Sequence, residues 1–269
     1  MYNPPPLRAR KRFGQNFLHD AGVIDRLLRA IAAAPQQRLL EIGPGRGALT
    51  EGLLDSGARM DVIELDQDLI PLLKLRFGLR ENFHLRQGDA LKLELTELEP
   101  EPGQLRVVGN LPYNISTPLI FHLLKQLQWI SDMHFMLQKE VVERLAASPG
   151  SGQWGRLSVM VQYHCRVDNL FPVAPEAFRP QPKVDSAIVR LTPHTSLPHP
   201  AKDPALLEVV VREAFNQKRK TLRNALRALL PVVAIEAAEV DPKLRPEQID
   251  LAGFVRLADQ LAMAGANPA

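Results

Sequence analysis

The sequence contains a single cysteine and no long apolar segment. Cys165 is that cysteine, so an intrachain disulfide is impossible and a zinc site built from several cysteines is excluded. No apolar run approaches the roughly 20 residues that a membrane-spanning helix needs. The segment after Pro4–Pro6 is cationic rather than apolar, unlike a signal peptide. We therefore expect a cytoplasmic protein without membrane association, in which Cys165 is a buried strand residue rather than a nucleophile.

The signatures of several enzyme classes are missing as well. The seven histidines are scattered without the spacing of metal ligands, and no Ser/His/Asp arrangement is apparent, so we expect no metal site. The glycine-rich segment 43–47 lacks both the GxGxxG spacing of dinucleotide-binding turns and the Gly-Lys-Ser/Thr of a phosphate-binding loop. These absences disfavour NAD and ATP as ligands, and they leave a Rossmann oxidoreductase as an alternative.

The first two thirds of the chain alternate short apolar runs with helical patterns. A first helix is predicted from the N-cap Asp20 until Pro35. The other predicted strands and helices of this part are strands 39–42, 60–65, 83–85, 105–108 and 134–137, with helices 48–54, 69–77, 118–127 and 140–147. This order predicts an α/β protein with a doubly wound, Rossmann-like sheet.

The pattern changes in the last third of the chain. Segments 157–163 and 186–191 alternate apolar and polar residues, which predicts two strands and antiparallel pairing at one sheet edge. The proline-rich segment 193–204 is typical of a linker. After it, helices are predicted at 206–215, 221–230 and 254–263. With 269 residues, the chain can therefore form a catalytic domain (1–195) and a small all-α domain (196–269).

Charge is distributed unevenly, although the net charge of +3 and the pI near 9.1 are only mildly basic. Four of the five residues from Arg8 to Arg12 are cationic, and a second cluster follows the linker. A solvated surface is the alternative interpretation of either run. Their position beside the candidate site residues favours phosphate contact. The predicted contacts are Arg10, Lys11, Arg12, Lys218, Arg219, Lys220, Arg223 and Arg227.

The glycine-rich turn predicts a nucleoside-cofactor site. Gly43 and Gly45 lie between the first sheet strand and its helix, where small residues let a ligand approach the backbone. Glu64 ends the next strand and can accept hydrogen bonds from both ribose hydroxyls. Asp89 follows the third strand and can accept from the exocyclic amine of an adenine. The competing interpretation is purely structural: the glycines would only form a tight turn, and either acidic residue would only cap a helix.

The tetrapeptide Asn110-Leu111-Pro112-Tyr113 predicts the chemistry at this site. The N6 amine of adenine is a poor nucleophile, because its lone pair is delocalised into the ring, so a catalyst must position it and accept its hydrogen bonds. The Asn110 side-chain oxygen and the Leu111 carbonyl can serve as acceptors, with Pro112 restricting the chain. Tyr113 can stack on an extruded base. These features predict a nucleic-acid adenine-N6 methyltransferase.

A second aromatic candidate lies in the proline-stiffened segment 178–186. Phe178 is followed by Arg179 and Lys183, a combination suited to a base held near phosphates. We therefore consider that Tyr113 and Phe178 clamp the base from opposite faces. For Phe178 alone, hydrophobic packing is the competing interpretation.

These segments resemble the bacterial small-subunit (16S) ribosomal RNA adenine-N6,N6-dimethyltransferase family, and the match spans most of the chain. The segments that carry it are 11–18, 41–47, 110–116, 138–141, 155–158, 178–186 and 215–222. The resemblance implies transfer of methyl groups from S-adenosylmethionine to two adjacent adenines near the 3′ end of 16S rRNA. It also implies a partner, the 30S subunit or its precursor, a role in subunit maturation, and a monomeric enzyme.

The resemblance further implies individual roles at the cofactor. Asn16 and Leu18 would close over the methionine end of the cofactor, and Gly43 would lie against it. Glu64 would hold the ribose and Asp89 the adenine. Asn110 would contact both the cofactor and the target amine. Trp154 departs from the tyrosine expected before Gly-Arg-Leu, which leaves the assignment intact.

Two alternatives stay open at this point. Erythromycin-resistance methyltransferases, which modify one adenine of large-subunit RNA, resemble the catalytic part but are less similar in segment 215–222. The chain could also be an assembly factor or nucleic-acid-binding protein in which methyl transfer is vestigial. The intact 110–113 motif and the acidic cofactor positions count against that as its sole role.

Overall fold

A computed structural model describes residues 15–266. Its contacts divide the chain into two units. The first extends to Val142 and resumes at Asp168–Pro193. The second comprises Glu143–Val167 and the chain from His194 onward. The division after Pro193 lies beside the boundary expected at 195/196, whereas segment 143–167 was expected in the catalytic domain.

Nine strands are defined in the described chain. They are β1 (Phe17–Leu18), β2 (Arg38–Ile42), β3 (Arg59–Glu64), β4 (Phe83–Gln87), β5 (Leu105–Asn110), β6 (Ile130–Gln138), β7 (Cys165–Val173), β8 (Phe178–Arg179) and β9 (Ser186–Pro193). Seven of them form one sheet in the order β4-β3-β2-β5-β6-β9-β7, and β1 pairs with β8 in a separate ribbon.

Along the described chain, the α-helices lie between the strands and then after the last strand. They are α1 (Ala21–Ile31), α2 (Thr50–Asp55), α3 (Ile70–Phe77), α4 (Ser116–Leu124), α5 (Lys139–Leu145), α6 (Arg156–His164), α7 (Pro204–Asn216), α8 (Leu222–Ala225), α9 (Val232–Ala237) and α10 (Leu251–Ala266). Asp20 caps α1 as predicted, since its side chain accepts a hydrogen bond from the Val23 N–H. None of the helices described is long and apolar enough to cross a membrane.

The sheet confirms the predicted fold class. β2 pairs in parallel with β3 on one side and with β5 on the other. The strand order therefore reverses beside β2, which is the place where doubly wound sheets bind ligands. β9 pairs antiparallel with β6, with Ser186 opposite Gln138, so the predicted antiparallel edge is present.

The prediction of a strand at 157–163 is wrong, because this segment forms α6. Six of its nine residues are buried, so the helix has no exposed polar face that would reveal a helical period. Its polar side chains find backbone acceptors instead of solvent. Ser158 donates to the Arg144 carbonyl, and Gln162 donates to those of Leu145 and Ala147. These buried polar residues produced the alternation that resembled a strand.

Other boundaries differ from the prediction in smaller ways. The helix expected at 221–230 is confined to α8, and α9 was not predicted. Cys165 is confirmed as a buried strand residue at the start of β7, where burial raises the pKa of its thiol to about 12. Trp154, the departure from the family pattern, is 1% exposed and donates its indole N–H to the Ile249 carbonyl at 2.8 Å.

Candidate active site

A cavity of about 350 Å³ lies at the carboxyl ends of the parallel strands. It is lined by the segment before α1, the glycine-rich turn, the end of β3, the segment after β4, and the 110–115 segment. Cavities of this size are typical of small-molecule sites. The cofactor residues predicted from the sequence all line it, namely Asn16, Leu18, Gly43, Gly45, Glu64, Asp89 and Asn110.

The glycine-rich turn adopts a backbone conformation that requires glycine. Gly43 and Gly45 have φ angles of 65° and 60°, in the left-handed region. A Cβ atom at Gly43 would have no atom within 4 Å, so glycine there enlarges the open space at the turn. The turn is held by hydrogen bonds from the Gly43 N–H to Ile63 O (2.9 Å) and from the Gly47 N–H to Pro44 O (2.9 Å).

Glu64 ends β3 as a buried carboxylate that is 6% exposed. Its oxygens accept hydrogen bonds from the N–H groups of Gly45 (3.2 Å) and Asp66 (2.8 Å). Burial raises the pKa of Glu64, and these two N–H groups lower it in part. Backbone N–H groups therefore hold the carboxyl group in one orientation, which is suited to accepting hydrogen bonds from two hydroxyl groups.

Glu41 is a second buried carboxyl at the cavity, and no role was predicted for it from the sequence. It is 2% exposed and accepts a hydrogen bond of 2.6 Å from the Thr50 hydroxyl at the start of α2. Burial raises the pKa of Glu41 to about 7, and the negative charge of Glu64 contributes in the same direction. The signal that could have identified it is its place in the 41–47 segment that carries the resemblance.

Asp89 follows β4 and caps the short 3₁₀ helix Ala90–Lys92. Its Oδ1 atom accepts from the Leu91 N–H at 3.0 Å. This bond orients the carboxylate, whose second oxygen is suited to accept from an exocyclic amine of adenine.

The segment before α1, residues 15–18, lines the cavity and is called the strap below. Leu18 is buried, and β1 pairs with β8, placing Leu18 opposite Phe178. Gln15 donates to Asp66 Oδ2 at 2.8 Å, a contact that the sequence analysis missed. The Phe17 ring lies against Gly45, where an added Cβ would be 3.1 Å from it.

Asn110 ends β5 with its amide directed by this strap. Its Nδ2 atom donates to the Asn16 carbonyl at 3.0 Å. Because only the NH₂ group can donate to a carbonyl, Oδ1 is the atom available as an acceptor. Gly109 lets β5 approach the turn, since a Cβ there would lie 2.6 Å from the Ile42 carbonyl oxygen. Leu111 is buried and donates its N–H to Met136 O at 3.2 Å.

Tyr113 lines the cavity and is half-buried. Its hydroxyl forms a hydrogen bond of 2.8 Å with the hydroxyl of Ser186. Burial raises the pKa of the Tyr113 phenol, and the bond to Ser186 lowers it in part. The ring is therefore neutral at physiological pH and presents an aromatic surface to the cavity.

Phe178 does not join the other predicted substrate residues. It is 2% exposed and packs in the hydrophobic core with Leu18, Phe171 and Ile188. It is not among the described residues that line the cavity. Its role as the second aromatic face of a clamp on the base stays a prediction. The segment 178–186 contacts Tyr113 through the hydroxyl of Ser186.

The predicted RNA-binding cations that the structure describes are all exposed. They are Arg179, Lys183, Lys218, Arg219, Lys220, Arg223 and Arg227. Arg10, Lys11 and Arg12 lie outside the described residues. Within residues 15–266, no group of three or more His, Cys, Asp or Glu side chains is arranged to hold a metal ion.

The family model of ribosomal RNA adenine dimethylases matches residues 7–262. The chain belongs to this family. The protein is therefore an S-adenosylmethionine-dependent ribosomal RNA methyltransferase, and the cavity with its acidic and glycine residues fits this cofactor.

Curated relatives match nearly the full chain. The ribosomal RNA small subunit methyltransferase A of Pseudomonas aeruginosa is 75% identical over 260 residues, which covers 97% of this chain and 97% of the relative. The protein of the same name from Chromohalobacter salexigens is 60% identical, covering 96% of this chain and 93% of the relative.

Solved structures share the fold. A dimethyladenosine transferase from Plasmodium falciparum aligns with a TM-score of 0.76 and 27% identity, covering 89% of this chain and 95% of that chain. The 23S rRNA methyltransferase ErmE aligns with a TM-score of 0.71 and 26% identity, covering 92% of this chain and 100% of that chain.

Proposed function

We propose that this enzyme dimethylates the N6 amines of two adjacent adenines near the 3′ end of 16S rRNA, within the 30S subunit or its precursor. The observation that supports the small-subunit substrate is the 75% identity, over 97% of both chains, to a small-subunit methyltransferase. The 23S rRNA enzyme ErmE has only 26% identity, although its fold is similar. The similarity of sequence therefore favours the small subunit over an erythromycin-resistance activity.

The cofactor position follows from the carboxylates at the strand ends. We assign the ribose hydroxyls to Glu64 and the adenine amine to Asp89, with Gly43 and Gly45 beside the methionine end. Asn16 and Leu18 of the strap would close over that end. When bound, S-adenosylmethionine supplies a methyl group on a positively charged sulfur. The residues that line the cavity, Asn110 among them, would hold it.

The target amine is held by acceptors rather than activated by a base. Asn110 Oδ1 and the Leu111 carbonyl would accept its two N–H groups, which stabilises a more tetrahedral nitrogen as the lone pair becomes available. The hydrogen bond from Asn110 Nδ2 to the Asn16 carbonyl leaves Oδ1 as the acceptor for this role. The nitrogen then loses a proton to solvent after the new C–N bond has formed. Tyr113 would stack on the base and keep it in line.

The charge distribution supports binding of RNA by the exposed cations. Arginines of the first unit commonly pair with carboxylates, as Arg38 does with Asp61 and Arg80 with Asp55. Within the described part of the chain, no ion pair involves Arg179, Lys183 or the cluster from Lys218 to Arg227. Unneutralised cations are suited to phosphate contact. Arg10, Lys11 and Arg12 are proposed for the same role from the sequence alone.

The remaining context follows from the substrate. An enzyme that modifies ribosomal subunits of a bacterium works in the cytoplasm, and a role in subunit maturation follows if the precursor is its substrate. We propose that the enzyme is a monomer. Residues 1–195 would form its catalytic domain, and residues 196–269 would bind RNA and the ribosome.

The proposal is tested by methyl transfer from labelled cofactor to 30S subunits prepared without the modification. We expect dimethylated adenines in the 16S rRNA of these subunits, with no transfer to 50S subunits or naked 16S rRNA. Transfer to 50S subunits would indicate a 23S rRNA enzyme. Tight 30S binding without transfer would indicate an assembly factor, and calorimetry showing NADH but not S-adenosylmethionine binding would indicate an oxidoreductase.

The substitution Asn110→Ala tests the chemistry in the same assay. Because it removes an acceptor that acts mainly in the transition state, we expect single-turnover transfer to fall by about 100-fold or more. Cofactor affinity should fall only modestly. A variant that transfers methyl groups at nearly the normal rate would contradict a catalytic Asn110.

A further inference from the structure

Tyr113 is held at two separate points. Its backbone carbonyl accepts a hydrogen bond of 3.2 Å from the Ser116 hydroxyl at the start of α4. Its phenol, at the other end of the side chain, bonds to the Ser186 hydroxyl at 2.8 Å. The phenol oxygen lies on the long axis of the ring, so holding the residue at its backbone and at its hydroxyl fixes the direction of that axis. The side chain therefore has little freedom to swing.

Ser186 is a rigid anchor for this bond. It is 0% exposed and is the first residue of β9. Its backbone is opposite Gln138 in the antiparallel pair, and the Lys139 N–H bonds to the carbonyl of the preceding Asp185 at 2.9 Å. Ser186 does not belong to the described residues that line the cavity. Its hydroxyl therefore reaches the site only through Tyr113.

We propose that Ser186 is a positioning residue for methyl transfer, which fixes the position of the Tyr113 ring on which the target adenine stacks. This inference rests on the proposed function, in which Tyr113 holds the base. It also explains how the loop 178–186 serves the site while Phe178 lies in the core. The loop contributes a hydroxyl that orients the first aromatic ring, and this contribution does not require a second exposed ring.

The consequence for the reaction is one of orientation. A stacked base follows the position of its ring, and the amine must meet the methyl group in line, so a ring whose axis swings freely lowers the fraction of productive complexes. Cofactor affinity does not depend on this bond, because Ser186 lies away from the cavity. If the Ser186 hydroxyl only had a structural role, its loss would change the melting temperature and leave the rate of methyl transfer unchanged.

The test is a double-mutant cycle with Ser186→Ala and Tyr113→Phe, since each removes one hydroxyl of the pair and leaves the aromatic ring. We expect each variant to lower single-turnover transfer to unmodified 30S subunits by about fivefold, equivalent to about 1 kcal/mol for one neutral hydrogen bond. The double variant should be no slower than either single variant. Affinities for S-adenosylmethionine and for 30S subunits should be unchanged in all three.

Ser131→Ala provides the matched control. Ser131 lies near the other end of β6, where its hydroxyl donates to the Leu105 carbonyl at 3.4 Å, and it does not line the cavity. This variant should transfer methyl groups at the normal rate.

Two outcomes would overturn the positioning role. One is a normal rate for either Ser186→Ala or Tyr113→Phe, and the other is multiplication of the two losses in the double variant. Tyr113→Phe keeps the test decisive even if Ser186→Ala folds poorly, because the half-buried ring is retained. Absence of methyl transfer by the unaltered enzyme would count against the proposed function and not against the hydrogen bond between Tyr113 and Ser186.

Discussion

At the scale of single residues, two buried carboxyls define the electrostatics of the cavity. Glu41 and Glu64 both have raised pKa values because they are buried, and each partly offsets its burial with hydrogen bonds. Glu64 uses backbone N–H groups, whereas Glu41 uses the Thr50 hydroxyl. These partners give the two acids different work. Glu64 is the proposed acceptor of the ribose hydroxyls, while Glu41 joins β2 to the start of α2.

The ribose assignment predicts a loss of cofactor affinity for Glu64→Ala. The substitution removes two charge-assisted hydrogen bonds, so binding should weaken by about 2–4 kcal/mol, or roughly 30- to 1,000-fold. Calorimetry with S-adenosylmethionine measures this directly. The exposed Glu81 provides the control Glu81→Ala, which should bind normally. An unchanged affinity in a folded Glu64→Ala protein would rule out the assignment.

Glu41 predicts a pH dependence of stability. Its pKa is raised from the ordinary 4.5 to about 7, so the folded protein favours the protonated form. Its contribution to stability is complete below pH 4.5 and is lost as the pH rises through 7. Glu41→Gln resembles the protonated acid and retains an acceptor for Thr50. In the absence of cofactor, we expect little change at pH 5 and a gain of at most about 3 kcal/mol at pH 8.

Denaturant unfolding at the two pH values measures the effect, with the exposed Glu81→Gln as the control. The quantity compared is the difference in unfolding free energy between the variant and the unaltered protein. In this difference, the contributions of all other titrating groups cancel. An equal difference at pH 5 and pH 8 would show that Glu41 does not titrate in this range.

At the scale of secondary-structure elements, the ribbon of β1 and β8 brings the strap and the 178–186 loop together. Leu18 lies opposite Phe178 in this ribbon and packs in the same core. The ribbon thus ties the segment that orients Asn110 to the loop that contains Ser186. Both sides of the proposed substrate site depend on these two short strands.

Phe178→Leu tests whether Phe178 serves this packing or a clamp on the base. Phe171→Leu is the matched control, because Phe171 is 6% exposed in the same cluster. If Phe178 only packs, both variants should lose about 1–2 kcal/mol of unfolding free energy and retain methyl transfer to 30S subunits. If Phe178 also stacks on the base, only Phe178→Leu should slow methyl transfer, with a rise of about 1–3 kcal/mol in the activation free energy.

The melting temperature and the cofactor affinity separate damage to the core from loss of stacking. Tyr113→Leu, which removes the proposed stacking ring of the cavity, should be impaired in the same assay. A fully active Phe178→Leu beside an impaired Tyr113→Leu would show that the two-ring clamp is wrong.

The elements that could be predicted from the sequence are those set by local pattern. In parallel α/β units, the residues at the carboxyl ends of strands converge on one edge. Gly43, Glu64, Asp89 and Asn110 were therefore predicted to share a site, and the structure brings them to one cavity. The alternation of apolar and polar residues at 186–191 predicted β9 and antiparallel pairing, but its antiparallel partner is β6 and the strand expected at 157–163 is α6.

The contacts that could not be predicted depend on long-range packing. Tyr113 and Ser186 are 73 residues apart, and Gln15 and Asp66 are 51 apart, so no spacing rule relates them. The helix α6 was mistaken for a strand because its buried polar side chains removed the helical period. Phe178 resembled a stacking residue in its cationic, proline-rich loop, although its burial is set by β1 and β8.

At the scale of the whole molecule, the cations differ in whether they are paired with carboxylates. With 33 Lys and Arg residues against 30 Asp and Glu, the net charge of +3 would give weak attraction to RNA if it were spread evenly. Arg38, Arg106 and Arg190 are paired with carboxylates in the sheet unit. The exposed cluster of the second unit is different, because the described ion pairs leave out its five cations.

Replacing Lys218, Arg219 and Lys220 with Gln tests this arrangement. Each phosphate contact releases counterions, so the variant should bind 30S subunits more weakly and with a smaller salt dependence, the slope falling by about one for each lost contact. Lys218 already donates to the Gly152 carbonyl, so its share should be the smallest of the three. The exposed pair Arg80 and Asp55 offers a control, Arg80→Gln, in which a neutralised cation is lost. That control should leave the salt slope as it was, and cofactor affinity should be normal in both proteins. A triple variant with an unchanged salt slope would show that the cluster is a solvated surface and that other cations bind the ribosomal RNA.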